Sequence, residues 1–371
     1  MIQIIKKPLK LPITTTNPQI WIRAPIDLKL GSMYGLDTRL LHQQIKDFVL
    51  SPAGRSFVKR SAALARNERW LRLRSVDLEL FQWGSFQFIF KAVVNKGFFN
   101  QAEFCFVLSK GGENDALTIQ DFNNLQKAYL RAPDFVVEPL SLFTDSKITV
   151  YSTRLYPEHL EVNYNPDGVF GRCGLHINSA KVKNTVRPFN LEEQDALLEE
   201  MIKILTILYI RSGGEFVSNF GVNAGDFILD YRGLDDFSMR LITVRGKEKC
   251  DIPHFICRLI TYPTPVRQGF GDDWGKGTKK DPLLVAFLFD LKTLRNGLRK
   301  AFKYYYCSMG HSENVSALAT ERDIKQWLGQ YNTAWIRGEL AGFISWHEQQ
   351  MVEAHLSELP VHYHIRSDGS D

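Results

Sequence analysis

Between Thr38 and Arg74 the apolar residues Leu40, Leu41, Ile45, Phe48 and Val49, then Phe57, Val58, Leu64 and Leu71, recur at the spacing of one helical face. "SPAG" interrupts the run, so two helices are predicted. The period then changes. "DLELFQWGSFQFIFKAVV" and "AEFCFVLSK" have the aromatic and β-branched content of strands, and "NKGFFNQ" between them reads as a turn. Thr118 is placed to cap a helix through "TIQDFNNLQKAYL", with Asp121 in its first turn, where the helix dipole favours negative charge. Pro133 stops it, and "DFVVEPLSLF" and "KITVYSTRLY" predict a further strand pair. Strands, one helix and more strands in that order give an α+β fold with a mainly antiparallel sheet.

The flanking regions are less regular. Residues 1–35 read as an extended arm or small sheet element, and the stretch from about Glu161 to Arg187, with "NPDG" and "GRCG", reads as an insertion or a link. Asn190 and Glu193 form a capping-box pattern that opens "LEEQDALLEEMIKILTILYI", whose later turns are apolar almost all round and therefore predict burial. Gly213 and Gly214 end that helix. In "GVNAGDFILDYRGLDDFSMRLITVRG", two apolar runs joined by a polar turn predict a hairpin, and from about Pro282 the pattern is helical. Three regions are expected: an arm and helical extension over 1–75, a β-rich lobe over 76–160, and a mainly helical lobe over 161–371 that carries the hairpin 221–246.

At 371 residues with 44% apolar and 12% aromatic content, the chain supplies core for one large or two medium domains. A net charge of +5 is ordinary and far from the excess of a dedicated nucleic-acid binder. The five cysteines are odd in number and widely spaced, which predicts neither a disulfide frame nor a structural zinc site. The first residues lack the pattern of a signal peptide and no run reaches spanning length, so a soluble cytoplasmic protein with no membrane partner is expected.

A small antiparallel sheet with one helix, then a linker, a buried helix, a hairpin and a helical remainder resembles the protein-kinase-like fold, in its aminoglycoside-phosphotransferase-like branch. The resemblance covers roughly residues 76–310 and rests on element order. It implies two lobes, a small antiparallel sheet lobe and a mostly helical one, with a nucleotide or phosphorylated ligand between them and ATP with magnesium as the cofactors. Lys110, ending "FCFVLSK", would meet phosphates, with Asp121 or Glu113 as its acidic partner. Gly84 and Ser85, in "QWGSF", would lie at the phosphate-covering turn. Aligning "VNAGDFILD" with the family's hairpin puts Asp226 at a metal-binding position, Asn223 at a frequent His, and Gly221 where the catalytic Asp belongs.

In the same alignment Thr243 stands where the second metal-binding Asp belongs, with Arg245 close by. One carboxylate beside a guanidinium is a poor magnesium site, whereas Arg245 can hold a phosphate through its planar fork. No catalytic residue is assigned. A phosphotransferase, a non-catalytic protein that binds a protein partner, and a plain structural hairpin all remain open. The run "GRSFVKRSAALARNERWLRLR" makes nucleic acid a third candidate partner. "GFGDDWGKGTKKD" reads as a mobile surface loop, the pair His362 and His364 as part of an exposed tail, and Trp327, Trp335 and Trp346 as core or contact surface.

Overall fold

Ser51 splits the first helical run. In the computed structural model, helix α1 (Thr38–Leu50) ends where the Ser51 hydroxyl accepts from the Gly54 amide at 2.9 Å, and Pro52 opens helix α2 (Pro52–Ala65). Serine supplies the cap acceptor and proline needs no amide partner at the first helical position, so the break follows from two adjacent residues. The structure describes residues 19–23, 38–69, 71–83, 86–165, 174–178, 186–216, 226–261 and 291–330. Compared by their internal contacts, these fall into two units: residues 1–163, 176–188 and 207–249, and residues 164–175, 189–206 and 250–371.

The first unit is built on a six-stranded sheet: β1 (Gln19–Arg23), β2 (Ser75–Trp83), β3 (Gln87–Val94), β4 (Ala102–Ser109), β5 (Pro139–Thr144) and β6 (Thr149–Arg154). Their spatial order is β1-β2-β3-β4-β6-β5. β1 runs parallel to β2 and the remaining pairs are antiparallel. Side chains alternate across the sheet, so one set of residues faces each side. Phe88, Phe90, Phe104, Phe106 and Leu108 join Ile45, Phe48, Phe57 and Val58 of α1 and α2 in one core. Phe106 meets Phe57 and Phe90 edge to face, with ring centroids 6.0 Å apart in each pair. On the other side, Val107 and Tyr151 pack with Phe122 of helix α3 (Glu113–Arg131).

Helix α3 starts five residues before the Thr118 cap that the pattern predicts. Gly111 and Gly112 both take positive φ, at 86° and 63°, which turns the chain out of β4 and lets Glu113 and Asp115 occupy the first turn. Thr118 is buried inside the helix and accepts from Gln87 at 3.3 Å.

The stretch read as a link contains strands β7 (Leu160–Asn165), β8 (Gly174–Asn178) and β9 (Val186–Pro188). The predicted hairpin is present as β11 (Phe227–Gly233) and β12 (Asp236–Leu241), and these strands run in the order β12-β11-β7-β8-β9. A two-stranded ribbon pairs β10 (Glu215–Phe216) with β13 (Glu248–Lys249). The end of β12 joins the segment after α3: Val137 donates to the Leu241 carbonyl at 3.0 Å, and Leu241 donates to that of Phe135 at 2.8 Å.

Helix α4 (Leu191–Arg211) opens on the predicted capping box, with the Asn190 amide on Glu193 and the Glu193 amide on Asn190, each at 2.9 Å. Helices α5 (Ile252–Thr261), α6 (Leu291–Ser308) and α7 (His311–Gln330) follow, so the described chain is α+β with its later part helical. Within the second unit Glu199 of α4 accepts from Asn296 and pairs with Lys300 of α6, both at 2.8 Å.

The contact between α1 and α2 leaves no room at Gly54, where an added Cβ would stand 1.9 Å from the Phe48 carbonyl oxygen. Backbone cannot yield there without separating the helices. Gly54→Ala is therefore expected to lower unfolding free energy by about 3 kcal/mol in urea titration, with overpacking as the cause.

Candidate functional site

Asp121 of α3 is fully buried, and its carboxylate gathers partners from several elements. Oδ1 accepts from the Val244 backbone amide at 2.8 Å, and Oδ2 accepts from the Tyr151 hydroxyl of β6 at 2.8 Å and from the side-chain Nε2 of Gln87 in β3 at 3.4 Å. Burial pushes the Asp121 carboxyl up, against the opposing pull of these donors and of the Arg245 charge. Burial also holds the Tyr151 phenol well above its ordinary range, reinforced by the carboxylate beside it. Loss of the proton there would place a second anion beside Asp121, so Tyr151 acts as a donor.

Asp226, just before β11, is buried too. Its Oδ1 accepts from the Thr243 hydroxyl at 2.5 Å and pairs with Nη2 of Arg245 at 3.0 Å, while the Asp226 carbonyl accepts from the Ile242 amide at 2.8 Å. The Arg245 guanidinium lies 5.8 Å from the Phe86 ring centroid, and its Nε is buried without a hydrogen-bond partner. Residues 242–245 therefore stitch two acids together: Thr243 and Arg245 reach Asp226, Val244 binds Asp121, and the Arg245 charge acts on both.

Lys110 lies elsewhere. Its amide donates to the Phe86 carbonyl at 2.9 Å, and its ammonium sits 5.4 Å from the Phe88 ring centroid. Phe88 belongs to the core under α1 and α2, whereas Gln87 and Tyr151, the partners of Asp121, belong to the α3 side. Among the described residues Lys110 forms no ion pair, with Asp121, Glu113 or any other acid, and burial lowers its pKa. The structure thus brings together Asp121, Asp226 and Arg245 and leaves Lys110 against an aromatic face. Gly84, Ser85, Gly221 and Asn223 lie outside the described residues, as do the loop 269–281, His362, His364, Trp335 and Trp346.

Three contributors were not singled out as site residues from the sequence: Tyr151, Gln87 and the Val244 amide. Strand alternation places Gln87 and Tyr151 on a shared side of the sheet, but nothing in the pattern says that an acid from α3 will meet them there. The donor set does not fit the magnesium that the kinase-like resemblance implies. A divalent ion needs several hard anionic oxygens, and here the candidate carboxylate is already held by a guanidinium and a hydroxyl, with neutral Thr243 beside it. Among the described residues no group of three or more His, Cys, Asp or Glu side chains is placed to hold a metal ion. Comparison of the sequence with models of known protein families and with curated proteins gives no match.

A second charged cluster lies a few residues on. Lys247 Nζ is buried without a hydrogen-bond partner, and burial together with the charges of Arg131 and Lys127 lowers its pKa to about 8, against a smaller upward pull from Glu215. Glu215 is itself paired with Arg131 at 3.1 Å.

Arg245→Ala removes the guanidinium from buried Asp226 and should cost about 2–3 kcal/mol, a buried-pair penalty reduced because the arginine is partly exposed. Adding Asp226→Asn to that variant should recover part of the loss in urea titration. Lys247→Met should raise the melting temperature near neutral pH. The folded pKa lies below the unfolded one, so the charged lysine opposes folding below about 8, and that opposition fades toward the unfolded value of 10.5. The gain from the substitution should shrink over the same window, and a pH series of melting curves measures it.

Proposed function

We propose that this chain is a non-catalytic interaction or assembly protein on a divergent kinase-like scaffold. The order of strands, one packed helix, further strands, a capped buried helix and a hairpin supports the scaffold. One observation carries the functional half: Asp226, the acid that would hold a metal ion, is instead neutralised by Arg245 and bonded by Thr243. Phosphoryl transfer depends on positioned cations over the phosphates and a base near the acceptor. This arrangement spends its acid on an internal cation and has Gly221 where the base would stand.

A second reading is favoured by Arg245 itself. Its side chain is 32% exposed and meets Asp226 through Nη2, and a planar guanidinium that holds one carboxylate in this way has further Nη donors for a phosphorylated ligand or nucleotide. Lys110, whose ammonium rests on Phe88 and whose amide bonds the Phe86 carbonyl, would add charge to a ligand that reached past Phe86.

Melting curves separate the two. Millimolar ATP with magnesium should leave the melting temperature of the full chain unchanged. A rise that Lys110→Ala removes would establish ligand binding on the sheet and overturn the interaction reading. A rise that persists in Lys110→Ala and disappears with Arg245→Lys would instead assign the ligand to the guanidinium.

A further inference from the structure

The β3–β4 connection presents two phenylalanines to solvent on a braced turn. Phe98 is 42% exposed and Phe99 is 90% exposed. The turn is held from below: Asn95, fully buried at φ 54°, accepts on Oδ1 from the Arg74 amide at 2.7 Å and the Ser75 amide at 3.3 Å, and donates to the Arg72 carbonyl at 2.7 Å. Gly97, at φ 80°, donates to the Gln101 side chain at 2.9 Å, and the Phe98 carbonyl accepts from the Gln101 amide at 3.0 Å. An apolar ring at a flexible tip would fold back onto the body. Here the backbone is fixed and Phe99 is held outward.

A basic collar surrounds the tip. The Arg74 guanidinium stands 4.8 Å from the Phe98 ring centroid, Arg66 donates to the Gln101 carbonyl at 2.8 Å, and Lys96 is in the turn. Arg69 and Arg72, both exposed, belong to the segment that Asn95 holds. Two acids oppose these five cations: Glu68, 2.6 Å from Arg66, and Asp77, 3.5 Å from Lys96. Neighbouring Lys91 and Glu103 cancel at 2.8 Å.

We propose that this tip docks on an anionic lipid bilayer, with Phe98 and Phe99 entering below the headgroups and the collar lying against lipid phosphates and carboxylates. Three features favour a bilayer over other partners. Phenylalanine has no polar handle, so its favourable destination is the acyl boundary, while arginine and lysine stems cover apolar surface and keep their charge at the headgroups. A planar membrane accepts a convex apex, whereas a nucleic-acid strand is followed by a groove that lines up rings and cations along its length. The charge excess matches the negative surface potential of acidic lipids. No helix among the described residues is long and apolar enough to cross a membrane, and a surface contact of this kind needs none. The proposal stands apart from the nucleotide question, because the tip shares no residue with the Asp226 cluster.

Sedimentation of the full chain with vesicles tests it. The protein should pellet with vesicles of phosphatidylcholine and phosphatidylserine, remain free with phosphatidylcholine alone, and be released by salt. The double variant Phe98→Ser/Phe99→Ser should partition at least about tenfold more weakly, given the apolar area withdrawn from the membrane. Arg69→Glu with Arg72→Glu, which keeps the rings and leaves the Lys96–Asp77 pair in place, should lose binding to the acidic vesicles as well. All these side chains lie outside the core, so matching melting curves establish that the variants are folded. Failure to pellet with acidic vesicles, equal pelleting with neutral ones, or full retention by the serine variant overturns the proposal. Binding of single-stranded RNA in place of vesicles overturns it in favour of a nucleic-acid surface.

Discussion

A carboxylate with no exposure to water is the constraint around which the first unit is arranged. Moving an ion of that size out of water costs several kcal/mol even after relaxation, so Asp121 is tolerable only where donors converge on it. They come from β3, from β6 and from the backbone just after β12. Each is a requirement on a different part of the chain, and meeting all of them fixes where α3 lies on the sheet and where the hairpin's exit strand runs. Main-chain bonds between residues 135–137 and Leu241 hold the same juncture by a second route. A helix, a sheet face and a hairpin are thus bound at one place by polar groups that no water can satisfy in their stead.

Arg245 extends that arrangement to a second acid. With Asp226 also buried, two carboxylates within reach of one guanidinium leave the local charge closer to balance than either acid alone would allow. The physical opposite would be a surplus of anionic oxygens, which is what a divalent ion requires. A threonine and an arginine in "LITVRG" therefore change the chemistry of the hairpin in one step: the neutral hydroxyl donates where an acid would have coordinated, and the guanidinium occupies the acid that remains. This is the ground for reading the cluster as structural before reading it as catalytic.

Much of this fold could be read from local signals. The serine-proline break between α1 and α2, the Asn190–Glu193 box and the β11–β12 hairpin each depend on residues within a few positions of one another, and all are present. Helix α3 begins ahead of Thr118, a good cap by type, because two consecutive glycines with positive φ turn the chain earlier and leave the threonine to a tertiary bond with Gln87. Strands β7 to β9 are short and lie among turn residues, so their pairing, β7 with β11 of the hairpin and β8 with β9, defines them more than their own pattern does. Of the site, the proximity of Asp226 and Arg245 follows from the hairpin they flank, whereas the meeting of Asp121 with Tyr151 and Val244 spans 30 and 123 residues of sequence and left no local trace.

Lys110 shows how a readable rule is lost when it is applied to residue type alone. It follows the series Phe104, Phe106 and Leu108, which alternation sends toward α1 and α2, but lies past the end of β4, with its ammonium against the Phe88 ring. Asp121 approaches the other side, the one marked by Val107 and Tyr151. Rigid local placement leaves the amine and the acid unpaired: the Lys110 ammonium rests against the Phe88 ring, while Asp121 draws its donors from Gln87, Tyr151 and Val244. The same rigidity works in the opposite sense at the β3–β4 turn, where a backbone locked by Asn95 and Gly97 prevents Phe99 from reaching any core and leaves its apolar surface available to whatever the molecule meets.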